Sequence, residues 1–192
     1  MTKKVWVFLF NGYSDWEISY VMPELNKSDK FELVTFSKDG KPVTSMGGLS
    51  VQPGTSLAQF DTTETDLLIL PGGTAWEKGE NRELDLLVKA HFGEGKYIAA
   101  ICGATIYLGQ IGILDHVKHT SNDLSYLKAV APEYRGDAHY VNDRAVSDQN
   151  LITANGTAPV EFAREIFARL GLYNPAENEK WFQLFRNGIW SE

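Results

Sequence analysis

The chain contains a single cysteine, Cys102, in the stretch AICGAT, set between the apolar run KYIAAI and a Gly-Ala pair. A residue at a sharp strand-to-helix turn projects its side chain from the upper edge of a sheet, and small neighbours such as Gly103 and Ala104 permit that turn. The unpaired N–H groups and positive dipole end of a following helix favour a thiolate. The pattern therefore predicts a thiol pKa below the reference of about 8.5. The N–H of Gly103 is placed to stabilise an oxyanion, and the Gly72-Gly73 pair of LPGG offers a second donor. A free cysteine is ordinarily a small buried hydrophobe. The strand–Cys–Gly–helix context beside a Gly-Gly loop favours a nucleophile here.

Glu17, in GYSDWE, carries two readings. Ser14 and Glu17 have the spacing of a capping box, which would satisfy the first N–H groups of a helix. Alternatively the carboxyl faces Cys102 across neighbouring strand ends, donating to the thiolate when protonated or serving as a base when ionised. Gly72-Gly73 likewise reads either as part of an oxyanion site or as a tight turn that needs positive φ.

The elements that must position these groups alternate between short apolar runs and helical patterns. KVWVFLF (4–10), FELVTFS (31–37), TDLLILPGG (65–73) and KYIAAI (96–101) read as buried strands, and AVSDQNLITAN (145–155) as a hairpin or two short strands. Residues 39–54 read as a small hairpin excursion with Gly47-Gly48 at its tip, and HVKHTS (116–121) as a further short strand. The segment from there to Asn142 reads as loop. Helices are predicted over SDWEISYVMPELNKS with a kink at Pro23, over 81–92, from Gly103 to about Gly112, over 158–172, and in an aromatic tail from about 175 to 192. The βαβα order predicts an α/β fold with a mostly parallel sheet covered by helices on both faces. Loops at the carboxyl ends of such strands form the natural ligand crevice. NGYSDWE, LPGGTAW and ICGAT all fall at such ends.

Bulk properties narrow the partners. At 192 residues the chain suits one domain, residues 1–192, with a full-sized core. The net charge of −7 argues against nucleic acid and anionic membranes. The apolar run after Lys3-Lys4 is too short for a secretory signal, and no segment approaches the roughly 18 to 20 apolar residues of a membrane span. One cysteine cannot form an internal disulfide, which points to a reducing cytoplasm. The four histidines show no tight ligand spacing with Cys102, so no metal site is expected.

LLILPGG, YIAAICGAT, VKHTSN and ITANGTAPVEFAREI together resemble the ThiJ/PfpI family, within the class I glutamine amidotransferase-like superfamily. The resemblance runs from about Val5 to Leu172. It implies a flavodoxin-like three-layer sandwich, usually homodimeric, with Cys102 at a strained elbow, a protonated Glu17 against it, and an oxyanion hole from the N–H groups of Gly73 and Gly103. It also implies a histidine after the next strand, for which His119 is the candidate and Thr120 the competing occupant of the slot. No cofactor is implied. Family activities span glyoxalase-type conversion of 2-oxoaldehydes, deglycation, amidase and peptidase hydrolysis, and redox-sensing or chaperone roles. The peptidase-like branch has a histidine directly after the cysteine; Gly103 stands there in this chain. An amidotransferase triad would need a late histidine, and none follows His139. The leading expectation is thus a cysteine-dependent enzyme for a small carbonyl or acyl substrate. The alternative is a sensor that uses oxidation of the same thiol, which has no second cysteine to trap it.

Overall fold

Along the chain, β1 (Lys3–Phe8) leads through a 3-10 turn at Asp15–Glu17 to α1 (Val21–Asn26) and β2 (Phe31–Ser37). A hairpin of β3 (Val43–Thr44) and β4 (Ser50–Val51) and the short strand β5 (Thr55–Ser56) precede β6 (Thr65–Leu70), α2 (Thr74–Glu77) and α3 (Asp85–Gly93). β7 (Tyr97–Ile101), α4 (Gly103–Gln110) and α5 (Leu124–Val130) follow. The chain then forms β8 (Ala145–Asp148), β9 (Leu151–Ala154), α6 (Pro159–Leu170) and α7 (Pro175–Asn187). This computed structural model describes residues 2–190; Met1, Ser191 and Glu192, at the ends of the expected domain and tail, lie outside the described residues.

Seven strands form one sheet in the order β5-β2-β1-β6-β7-β9-β8. Every pairing is parallel except β8 with β9. The sequences explain the placement: Val5 to Phe8, Leu67 to Leu70, Ile98 to Ile101 and Leu151 to Ala154 are all buried, as strands covered on both faces must be. α1 packs on α6, which also covers β8 and β9, while α2 packs on α4 and both α3 and α4 lie on β7. This is the flavodoxin-like α/β sandwich, mostly parallel with helices on both faces. The strand order places the ends of β1, β6 and β7 side by side, so the three loops singled out above converge.

Three local expectations are corrected. The helix expected from Ser14 breaks into a 3-10 turn and a separate α1, and Ser14 makes no side-chain cap bond. Pro23 is the reason α1 begins late: it sits in the first turn, where its missing N–H has no helical partner to lose. The strand expected over 116–121 is instead a 3-10 turn at Ile113–His116 followed by irregular chain, with one isolated bridge between His119 and Tyr140. The stretch expected as loop contains α5, whose Asp123 caps it by accepting the Tyr126 N–H at 2.8 Å. In the tail Trp181 is buried, its ring edge-on to Phe167 at 4.8 Å, whereas Trp190 is 77% exposed.

Asp123→Ala removes that cap and should destabilise the protein by about 1 kcal/mol in denaturant melts.

Candidate active site

Cys102 joins β7 to α4 with φ 59° and ψ −127°, a conformation that residues with side chains rarely adopt. Its neighbours hold it there. The Cys102 N–H donates to the Ala154 carbonyl on β9 at 2.9 Å, and the Cys102 carbonyl accepts from the Thr105 N–H at 3.0 Å and hydroxyl at 2.6 Å. Thr105 Oγ1 in turn lies 2.7 Å from Ser121 Oγ. The sulfur is thereby lifted to the rim of the sheet, half-buried, at the start of α4.

Glu17 is fully buried and does not cap a helix. Its Oε2 accepts the Gly72 N–H at 2.6 Å, whereas Oε1 is buried without a hydrogen-bond partner. The carboxyl and the thiol lie against the same glycines. A Cβ at Gly72 would fall 2.6 Å from both Cys102 Cβ and Glu17 Oε2; one at Gly156 would fall 2.8 Å from Sγ and 3.3 Å from Oε1. Only bare backbone lets these two groups approach. Gly73 and Gly103 also touch, since a Cβ on Gly103 would lie 2.8 Å from the Gly73 carbonyl. Gly73 has φ 147° and is wedged against the Phe10 ring and the Gly12 carbonyl, which explains the requirement for glycine.

The loops are anchored from outside the site. Trp76 is fully buried, donates its Nε1–H to the Pro71 carbonyl at 2.8 Å and stacks on Tyr107 of α4 at 4.6 Å. It braces the glycine loop against the helix. Asp15 accepts the Ser45 hydroxyl at 2.7 Å, and the Met46 N–H donates to the Tyr13 carbonyl at 2.8 Å. The β3–β4 hairpin therefore straps the segment that carries Glu17.

His119 does not join this cluster, and its expected part as a catalytic assistant is corrected. Its ring is buried, Nδ1–H donates to the Val117 carbonyl at 2.8 Å, and Nε2 accepts from the Tyr134 hydroxyl at 2.6 Å. Both nitrogens are taken by structural partners, and desolvation lowers its pKa. Thr120 is likewise occupied, donating its hydroxyl to the Asp143 carbonyl at 2.8 Å. From this segment the sulfur is reached by Asn122, whose Nδ2 lies 3.4 Å from Sγ. Asn122 and Gly156 went unnoticed in the sequence because both lie in irregular chain without periodicity. Among the described residues no group of three His, Cys, Asp or Glu side chains is arranged to hold a metal ion.

The family model described as DJ-1/PfpI matches residues 3–169. The chain belongs to the DJ-1/PfpI family. As a DJ-1/PfpI protein it is 40% identical over 190 residues to the uncharacterized protease YoaZ of Bacillus subtilis, covering 95% of this chain and 90% of that one. It is 30% identical over 145 residues to the deglycase PfpI of Pyrococcus furiosus, covering 75% of this chain and 84% of the relative. The crystal structure of a thiJ/pfpI family protein from Bacillus anthracis superposes with a TM-score of 0.94 at 38% identity, over 98% of this chain and 92% of that chain.

Electrostatics correct one further expectation. Burial pushes the Cys102 thiol up to about 12, the Glu17 carboxylate adds to the shift, and the Asn122 and Gly103 N–H groups only partly oppose it. Burial also raises Glu17 to about 7, against the opposing Gly72 N–H. Desolvation thus outweighs the helix end that was expected to lower the thiol. The two groups behave as a dyad that loses one proton near neutrality and resists losing the second. Between those limits it carries one negative charge and one proton.

A raised carboxyl pKa means that the folded state holds this proton more tightly than the unfolded chain. The resulting stability is full below about 4.5 and is lost as pH climbs through about 7, by about 3 kcal/mol. Glu17→Gln, which mimics the protonated form, should flatten this pH dependence in denaturant melts between pH 4.5 and 8. Gly156→Ala should slow alkylation of Cys102 by more than tenfold, because its methyl group would sit 2.8 Å from the sulfur; mass spectrometry of the alkylated protein checks this.

Proposed function

We propose that this protein is a cysteine-dependent enzyme acting on small carbonyl compounds, with 2-oxoaldehydes such as methylglyoxal as the substrate class. The observation that carries the proposal is the Glu17–Cys102 dyad, closed beneath Gly156 at a strained elbow. Gly72 occupies Oε2, so in the carboxylic acid form the proton sits on Oε1, the oxygen that faces the Cys102 and Gly156 side of the site. The name deglycase of the Pyrococcus relative supports a carbonyl adduct; the name protease of the Bacillus relative supports acyl chemistry at the same atom.

The reactive form of the dyad is the thiolate beside the carboxylic acid. Sulfur attacks the aldehyde carbon, and the C=O electron pair moves to an oxygen that accepts from the Gly73 and Gly103 N–H groups. Glu17 gives that oxygen its proton, producing a hemithioacetal. The resulting carboxylate removes the hydrogen from the former aldehyde carbon, and the electrons pass to the adjoining ketone oxygen as an enediolate. Glu17 returns the proton to the second carbon while the hydroxyl proton of the first carbon moves to the second oxygen. The product is a thioester of a 2-hydroxy acid, the aldehyde carbon being oxidised by as much as the ketone carbon is reduced. Water then cleaves the thioester, releasing the hydroxy acid and restoring thiolate and acid. No external oxidant or reductant enters the balance.

Cys102→Ala should abolish conversion of methylglyoxal to lactate as followed by proton NMR, and Glu17→Gln should lower the rate by about a hundredfold or more. Activity of the unaltered protein should rise as pH climbs through about 7, where the dyad loses its first proton. Undiminished lactate production by Cys102→Ala would reject the mechanism.

A further inference from the structure

Asn122 belongs to none of the expected catalytic groups, yet it makes two contacts that fix how the sulfur is solvated. Its Oδ1 accepts the Gly156 N–H at 2.8 Å, and its Nδ2 points to Sγ at 3.4 Å. A backbone N–H can only donate, so the amide cannot turn over without losing that bond. The orientation is decided by Gly156, and the face turned to the sulfur is always a donor. Unlike an imidazole, the amide does this at every pH and brings no charge or proton of its own.

We propose that Asn122 is a third catalytic residue of this site. Its amide, locked by Gly156, donates to the sulfur and favours the thiolate member of the Glu17–Cys102 dyad, while holding loop 155–157 across the thiol. The proposal deepens the reading of Cys102 as a nucleophile and rests on it. The remaining groups around Sγ are Glu17 from the turn after β1, the Gly103 N–H of α4, and Tyr126 of α5, whose phenol interacts with Glu77 of α2 and is within range of the sulfur's charge. In this arrangement the amide supplies no proton, and the proton traffic near neutrality stays within the Glu17–Cys102 dyad. A second consequence follows for geometry: the amide ties together loop 120–123, loop 155–157 and the elbow, so the donor reaches Sγ only while Gly156 covers it.

The test is the rate of Cys102 alkylation by iodoacetamide against pH, in the unaltered protein, Asn122→Asp and Asn122→Ala, with thermal melting of each. Asn122→Asp keeps an oxygen for the Gly156 N–H but replaces the donor by a negatively charged acceptor. It should slow alkylation at pH 7 by at least tenfold and move the midpoint upward, with a smaller upward shift in Asn122→Ala. If Asn122→Asp melts early, Asn122→Ala, which removes the donor without adding a charge, decides by its own smaller upward shift. Profiles that coincide with the unaltered protein would overturn the role of Asn122. Methylglyoxal turnover of the unaltered protein is measured alongside. Its absence, with the Asn122→Asp shift intact, would remove the proposed reaction and leave the role of Asn122 standing.

Discussion

The site depends on one backbone constraint: a cysteine held at positive φ between the last residue of β7 and the first of α4. Such a conformation costs about 1 to 3 kcal/mol and persists only where its surroundings determine it fully. Here the β9 carbonyl of Ala154 holds the N–H, and Thr105, itself held by Ser121, holds the carbonyl. Everything that could act on the sulfur acts because the elbow presents it at the rim.

The second determinant is volume. Gly72 and Gly156 come from two separate loops and Gly103 from the first turn of α4, and at each a methyl group would overlap the groups it faces. Their bare backbones bring a carboxyl, a thiol and several N–H donors together where burial removes solvent from both acids. That confinement couples the two titrations, and it outweighs the field of the α4 N-terminus. A single charge shared over two atoms is what desolvation permits.

Much of this was legible in the sequence. Apolar runs ending in glycine marked β1, β6 and β7, and their order fixed which loops would meet. The LPGG and ICGAT loops were readable because the turn itself demands small residues. Glu17 was ambiguous because the spacing from Ser14 satisfies a local capping rule, and only the burial of the 3-10 turn against Gly72 decides against it. The thiol's raised pKa was illegible, since helix polarity is a local signal and desolvation belongs to the assembled loops. His119 was misplaced because the alternation Val117, His119 suggested a strand that does not form. Asp123, a capping residue three positions before Tyr126, was the available sign that a helix begins there and that Asn122 precedes it at a turn.

The two halves of the dyad are mounted differently. The sulfur is fixed by the sheet and by α4, among the most thoroughly buried parts of the molecule. The carboxyl rides on a short turn fastened at one side by the Gly72 loop and at the other by the β3–β4 hairpin through Ser45 and Met46. Tension or slack in that outer fastening is transmitted to the acid and not to the nucleophile, so the spacing of the pair is set from the periphery by a ribbon that never touches the sulfur.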